Sequence, residues 1–177
     1  MITCLLWVSI AWSTPAISVE QAELELPSGA RISADAGTIE DNQVVRAQGV
    51  QAVHDDLTII AETTRWSMRD STGVFEGGVA ATQGDLKFSC ERVDVQLDGA
   101  GKVQRVVATG HVQVEQGGRT AEGGHAVFAQ GRLVLSGDPV VRHGLHEMRG
   151  AEIVFEVGKE TIECTSCTMT VRSEPGK

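Results

Sequence analysis

Residues 105–114 read RVVATGHVQV, and this stretch alternates apolar and polar side chains on both sides of a central glycine. Every second residue belongs to one apolar column: Val106, Ala108, Gly110, Val112 and Val114. A period of two is typical of a β-strand that buries one face. The stretch therefore predicts a half-buried strand with a glycine at its centre.

The same column recurs around three other glycines, which indicates an internal repeat. The columns are Val45, Ala47, Gly49, Gln51 and Val53; Gly73, Phe75, Gly77, Val79 and Ala81; and Leu133, Leu135, Gly137, Pro139 and Val141. Each unit is too small to bury its own apolar face, so stacked units are needed to close a core. We predict repetitive antiparallel strands that share one apolar interior.

A second motif follows each glycine after 12 or 13 residues, where a small residue stands. These small residues are Ala61, Cys90, Gly123 and Gly150, and Ala34 has the same place in a half unit before Gly49. The apolar positions change phase there, as in Phe88, Cys90, Val93 and Val95. A one-residue phase change requires a bulge, which a small side chain eases. Cys90 is thus predicted to be a buried structural residue without a catalytic role.

The composition predicts an interior of small side chains. Hydrophobic residues make up 41% of the chain but aromatic residues only 4%, with no Tyr. Such an under-filled apolar groove suits a long, flexible hydrophobic ligand, whereas a β-solenoid scaffold or adhesin with a packed core is the alternative. The predicted groove residues are Val53, Phe75, Val79, Phe88, Val93, Val95, Val112, Val114, Phe128, Leu133, Leu135, Val141, Ile153 and Phe155.

Charge and motifs argue against several functions. A net charge of −9 without a basic run is unlike a nucleic-acid-binding protein. No nucleophile elbow, phosphate-binding loop or His-Glu-x-x-His motif occurs, so we predict no enzyme and no cofactor. Cys164 and Cys167 are predicted to be a close pair near the C-terminus, either exposed thiols or a local disulfide, and we predict no metal site although His143 and His146 would be the other candidate ligands. His54, His111 and His143 are predicted at outward positions or in turns.

The N-terminus has the character of an export signal. Residues 4–12 form an apolar run that is too short to span a bilayer, and small residues precede a possible cleavage site after Ala16. We predict a signal peptide over residues 1–16 and one domain over residues 17–177. No Lys or Arg precedes Arg31, which leaves a membrane anchor as the alternative.

The strings ATGHVQV (108–114), LSGDPVV (135–141) and RGAEIVF (149–155) resemble repeats of the OstA-like domain of the LptA family. The resemblance extends over roughly residues 24–171. It implies a β-jellyroll, or folded taco, with an open apolar groove, located in the periplasm. It also implies lipid A acyl chains of lipopolysaccharide as cargo, and stacking on other jellyroll components at the inner and outer membranes. We expect the open edges near residues 24–32 and 161–171 to make these strand-addition contacts.

Overall fold

The computed structural model of the protein describes residues 17–25, 29, 31–40, 44–156 and 162–171. Within them lie fourteen β-strands and no helix, so none that could cross a membrane. The strands are β1 (Ile17–Glu25), β2 (Arg31–Glu40), β3 (Val44–His54), β4 (Leu57–Ser67), β5 (Thr72–Gln83), β6 (Leu86–Leu97), β7 (Val103–Gln116), β8 (Arg119–Ala129), β9 (Arg132–Ser136), β10 (Val140–His143), β11 (His146–Arg149), β12 (Glu152–Glu156), β13 (Ile162–Thr165) and β14 (Thr168–Val171). The predicted signal peptide lies outside the described residues.

All strands belong to one antiparallel sheet, as the alternating pattern predicts. β1 to β8 are neighbours in chain order, each paired antiparallel with the next. β8 then pairs with two strands, because β9 binds its second half and β10 its first half. The sheet continues on one side as β10, β11 and β14 and on the other as β9, β12 and β13. The all-β prediction is confirmed.

A line of irregular positions crosses the sheet and divides it into two walls. Register shifts fall between Ile60 and Thr63, between Ser89 and Arg92, and between Thr109 and Val112. We call this line the crease. The first wall consists of residues 31–33, 50–54, 57–61, 79–83, 86–90, 112–116 and 119–123 with β10, β11 and β14; the second wall consists of residues 36–40, 44–48, 63–67, 72–76, 92–97, 103–109 and 125–129 with β9, β12 and β13.

The small residues lie at the crease, where the inward pattern changes phase as predicted. Phe88 packs against the core, Cys90 is 6% exposed and Val93 is 4% exposed. The spacing between inward residues is therefore two positions from Phe88 to Cys90 and three positions from Cys90 to Val93. Ala61 and Ala34 occupy equivalent buried places in β4 and β2. The buried Cys90 fits its predicted structural role.

The glycines of the first motif bend the neighbouring strands in two different ways. At Gly110 and His111, as at Gly77–Gly78 and Gly137–Asp138, two successive residues have positive φ, so the inward pattern keeps its phase. At Gly49 only the glycine does, and the inward residues pass from Ala47 to Val50. The column predicted around Gly49 is therefore wrong beyond the glycine. Val53 faces outward with its strand neighbours Arg31 and Thr58 and is 37% exposed.

Acidic side chains explain why three of these positions are glycines. Asp35, Glu62 and Glu91 each follow a small residue, and each carboxylate lies over the glycine of the next strand. A Cβ on Gly110 would lie within 3 Å of the Glu91 carboxyl group, and the φ of +79° is itself strained for any other residue. The crease thus needs glycine both for its backbone conformation and for the space above it.

The last three long strands are broken at the crease instead of bent. Pro139, which is fully buried and cannot donate to the ladder, separates β9 from β10. Gly150 separates β11 from β12, and Cys167 lies between β13 and β14. Cys164 and Cys167 form a disulfide, which is one of the two predicted alternatives. Their sulfurs pack on Gly150, where a Cβ would lie 2.6 Å from Sγ of Cys164.

Candidate functional site

The inner faces of the two walls form one continuous apolar cluster. Its residues come from β2 to β10 and β12, and most are Ala or Val, in agreement with the predicted interior of small side chains. The buried members are Ile32, Ala34, Val45, Ala47, Val50, Ala61, Trp66, Phe75, Val79, Cys90, Val93, Val95, Ala108, Val112, Ala121, Ala126, Leu135, Val141 and Ile153. Near the crease the inward side chains of both walls are therefore buried.

A half-buried row of apolar side chains lies above this cluster, farther from the crease. Val114 follows the buried Val112 at the next inward position, and Val106 precedes the buried Ala108. The half-buried row consists of Ile39, Ala52, Ile59, Phe88, Leu97, Val106, Val114, Leu133, Met148, Phe155 and Ile162. Because these side chains are apolar and still partly accessible, an apolar ligand between the walls would remove more of their surface from water.

The predicted groove residues divide between these two layers. Eight are buried: Phe75, Val79, Val93, Val95, Val112, Leu135, Val141 and Ile153. Five are half-buried, and all of them except Phe128 belong to the half-buried row: Phe88, Val114, Phe128, Leu133 and Phe155. Val53 is the exception, because its strand position faces outward, although the residue borders the cavity described next. The prediction omitted Ala52 and Ile59, which occupy inward positions on the first wall next to the misassigned Val53.

A cavity of about 70 Å³ lies between the walls near the N-terminal end of the sheet. Ile32, Ala52, Ile59 and Leu57 line it from the first wall. Trp66, Phe75, Val95, Leu97 and Val103 line it from the second, and Val53 and His54 contribute at its margin. The volume corresponds to roughly two water molecules. A long ligand therefore requires the walls to separate, or it must lie along the half-buried row.

Few polar groups interrupt the interior. The hydroxyl of the buried Thr64 donates a hydrogen bond to the carbonyl of Val74 at 2.9 Å, so it needs no ligand. The thiol of Cys90 donates to the carbonyl of Arg92 at 3.3 Å. Burial raises the pKa of this thiol to about 11, so it stays protonated and unreactive near neutral pH. Neither group has the character of a catalytic residue.

Several charged side chains of the strands form ion-pair networks on the outer face. Glu147 is 7% exposed and accepts hydrogen bonds from Arg142 at 3.0 Å and Arg149 at 2.8 Å. The hydrogen bond with Glu147 and the charge of Glu122 raise the pKa of Arg142. Arg92 is held in the same way by Asp94 and Glu76, which raise its pKa. These networks are satisfied within the protein, which is typical of structural ion pairs.

The histidines divide between the outer crease and the free margin of the first wall. His111 lies at the outer crease with Nδ1 2.7 Å from Oε1 of Glu91. His54 and His143 flank turns, as predicted, but the pairing places them on the inner face, because they follow Ala52 and Val141 by two residues. The predicted alternative of outward positions or turns is thus met by the turns, since His143 directly precedes Gly144 and is exposed. Within the described ranges, no three His, Cys, Asp or Glu side chains are grouped to hold a metal ion.

We call the inner-face positions next to the first-wall turns the lip. Cross-strand pairs join His54 to Leu57, Leu57 to Gln83, Gln83 to Leu86, Gln116 to Arg119, Arg119 to His143, His143 to His146 and His146 to Val171. Before Gln116 the lip consists of the half-buried His54, Leu57 and Leu86 and of the uncharged Gln83. After Gln116 it includes Arg119, His143 and His146, which are all exposed. The lip therefore changes character along the groove.

Comparisons with known proteins agree with this architecture. The family model "LptA/(LptD N-terminal domain) LPS transport protein" matches residues 58–161, more than half of the chain. The chain is also similar to the crystal structure of LptH from Pseudomonas aeruginosa, described as the LptA homologous periplasmic component of the conserved lipopolysaccharide transport device. That match has a TM-score of 0.60 and 19% sequence identity, and it covers 66% of this chain and 95% of LptH. No curated protein sequence matches.

The two comparisons support different conclusions. At 19% identity the likeness to LptH shows the fold alone, and it confirms the predicted jellyroll-like, all-β architecture. The family model covers β4 to β12, which contain most of the apolar cluster and most of the crease. The chain therefore belongs to the family of LptA and LptD N-terminal-domain lipopolysaccharide transport proteins.

Proposed function

We propose that the protein is a periplasmic lipopolysaccharide-binding transport protein, which carries the acyl chains of lipid A along the groove as part of a bridge between the inner and outer membranes. Proteins of this family are transport proteins without catalytic activity, so the prediction that the chain is not an enzyme is confirmed. The observation that carries the proposal is the half-buried apolar row between two walls.

The energetics of this row suit a mobile lipid. Each methylene removed from water contributes roughly 0.8 kcal/mol, so about ten methylenes would contribute roughly 8 kcal/mol before the costs of ordering. The row repeats on successive strands with similar side chains, such as the cross-strand partners Leu133 of β9, Phe155 of β12 and Ile162 of β13. Neighbouring sites of similar affinity allow a chain to pass from one to the next without a deep energy well.

The open ends of the sheet are suited to the proposed bridge. β1 forms one end, and β13 and β14 form the other. Of the predicted N-terminal edge over residues 24–32, Leu24 and Glu25 belong to the end strand β1, whereas Arg31 and Ile32 belong to β2, which β1 covers. On β14 the side chains of Met169 and Val171 are 69% and 61% exposed. An open edge with apolar side chains favours strand addition by another jellyroll, in a head-to-tail assembly that does not close.

Photo-cross-linking in cells tests the cargo. A photoreactive residue at Phe128 or at Leu133 in the half-buried row should cross-link to lipopolysaccharide. Val127 is the matched control, because it neighbours Phe128 on the same strand and faces outward. Equal labelling from Val127 and Phe128, or none from either groove position, would contradict lipid transport.

One observation favours a second candidate, a scaffold with a packed core. The cavity of about 70 Å³ is too small for an acyl chain as the walls now stand. The same cross-linking distinguishes the two, since a packed scaffold would leave Phe128 and Leu133 unlabelled in cells that make lipopolysaccharide.

A further inference from the structure

The distribution of charge on the inner face is unlike that of the whole protein. The chain has a net charge of −9, yet in the described part of β8 to β14 every strand carboxylate lies outside the groove. The outward acidic residues of these strands are Glu122, Glu147, Glu152, Glu156 and Glu163. The inner face of strands β8 to β14 therefore carries side chains that can become cations, and it carries no strand carboxylates in the described residues.

Three such side chains are neighbours on the lip. Arg119 of β8 pairs with His143 of β10, which pairs with His146 of β11. Directly opposed residues on antiparallel strands have Cβ atoms about 4.5–5.5 Å apart, so the three side chains span roughly 10 Å. In the described ranges, Arg119, His143 and His146 make no ion pair, unlike Arg142 and Arg149 on the outer face.

An apolar row lies immediately below these residues on the same face. Ala121, Val141 and Met148 precede or follow them by two positions on their strands, and all three belong to or pack against the apolar cluster. The inner faces of β9 and β12 on the second wall carry Leu133 and Phe155. The surface is thus cationic at the margin and apolar inside, which matches an amphiphile with an anionic headgroup.

We propose that Arg119, His143 and His146 form a contact site for the phosphate groups of a lipid whose acyl chains lie in the groove. The inference rests on the proposed function and adds a headgroup site to it. Arg119 offers a planar fork of N–H donors that matches phosphate oxygens, and each imidazole adds a donor. Binding at this end of the groove would retain the headgroup beside β14, where the next component of the bridge would attach.

Equilibrium binding to two lipids tests the site. The full chain is titrated with lipid A that carries its phosphates and with the same lipid after enzymatic dephosphorylation. We expect at least about tenfold tighter binding of the phosphorylated form. The double variant Arg119→Gln/His143→Gln should lose this preference while its affinity for the dephosphorylated lipid stays within about twofold of wild type. Arg119→Lys should retain most of the preference.

A matched control carries the same substitutions on the outer face. Arg65→Gln/His125→Gln removes the same residue types from exposed outward positions of β4 and β8 and should keep the full preference. Melting temperatures close to that of wild type for both double variants exclude a folding defect. A preference that survives in the lip variant, or that is lost equally in the control, overturns the inference.

Further outcomes distinguish a failure of the phosphate site from a failure of the proposed function. Wild-type protein that binds both lipids equally overturns the phosphate site but leaves lipid transport intact, whereas failure to bind either lipid contradicts the proposed function itself. Inorganic phosphate is added alone while the ring-proton resonances of His143 and His146 are followed by NMR. Shifts as large as those from phosphorylated lipid A would identify a free-anion site and overturn the headgroup assignment.

Discussion

The crease is built differently in the middle of the sheet and at its C-terminal end. β6 and β7 pass through it unbroken, with 12 and 14 residues, and their irregularity is limited to Cys90 and the Gly110–His111 pair. The strands after β8 have only four or five residues, because each long strand is divided at the crease. The sheet is thus folded into two walls by bulges within the middle strands and by breaks between the short C-terminal strands.

The difference shows which contacts must hold each region together. A bulge interrupts few ladder hydrogen bonds, so a bent strand still joins both walls covalently and through its neighbours. At the broken end, isolated bonds bridge the gap, such as those from the amide of Gly124 to the carbonyl of Gly137 and from the amide of Ala151 to that of Thr165, each 2.9 Å. The disulfide adds a further link between β13 and β14.

The largest expected effect concerns the core that the two regions share. Phe75→Ala in β5 should lower the free energy of unfolding by about 3–5 kcal/mol and Ile153→Ala in β12 by about 2–5 kcal/mol, because both side chains are at most 3% exposed. Denaturant titrations followed by tryptophan fluorescence and by circular dichroism should give coincident transitions for both variants. Separate transitions in the Ile153 variant would show that the C-terminal region unfolds independently.

The crease glycines of the middle region and of the C-terminal region should differ in their tolerance of a methyl group. A Cβ at Gly150 would meet Sγ of Cys164 and, at 2.9 Å, the carbonyl oxygen of Thr165, neither of which can move away. We expect Gly150→Ala to lower the free energy of unfolding by at least about 2 kcal/mol. Gly110→Ala should cost about 1–2 kcal/mol, because backbone strain is the main penalty and the Glu91 carboxyl group can move aside, whereas Cβ of Glu91 at 2.8 Å adds a smaller cost.

Two variants sharpen the comparison of the glycines. Gly78 has a φ of +57° and open space above it, so Gly78→Ala should reproduce the cost of strain alone and cost slightly less than Gly110→Ala. Introducing Glu91→Ala beside Gly110→Ala should change that cost by less than about 0.5 kcal/mol. A large rescue would instead assign the penalty to the carboxylate.

The smallest expected effect is that of the disulfide. Its closed loop is short, so Cys164→Ser/Cys167→Ser should cost about 2 kcal/mol or less. Hydrogen exchange should quicken at β14 and stay unchanged at β7, whose crease has no such link. Faster exchange throughout the sheet would contradict a local role.

Sequence patterns predicted most of the fold because strands, turns and the phase change at small residues depend on local chemistry. They misplaced Val53, since the glycine alone does not say whether one or two residues adopt positive φ. The next residue carries that information. Gly78, His111 and Asp138 tolerate the left-handed region, whereas a β-branched residue such as Val50 rarely does. The same rule would have placed Ala52 in the groove.

The candidate site was less accessible to sequence reasoning. The apolar positions follow from alternation, but burial depth depends on how closely two walls approach, which no local pattern encodes. The neighbourhood of Arg119, His143 and His146 depends on the division of β8 between β9 and β10. Pro139 was a signal for that division, because a residue without an amide hydrogen interrupts a central strand.

The chain-order arrangement of β1 to β8 has a consequence for how the protein folds. Each strand finds its partner a few residues away, so the entropy lost in closing loops is small and the sheet can grow by one hairpin at a time. We expect faster folding than in sandwiches whose strands cross between sheets. The same locality allows repeats to be gained or lost in evolution, and so lets the length of the groove change without a new fold.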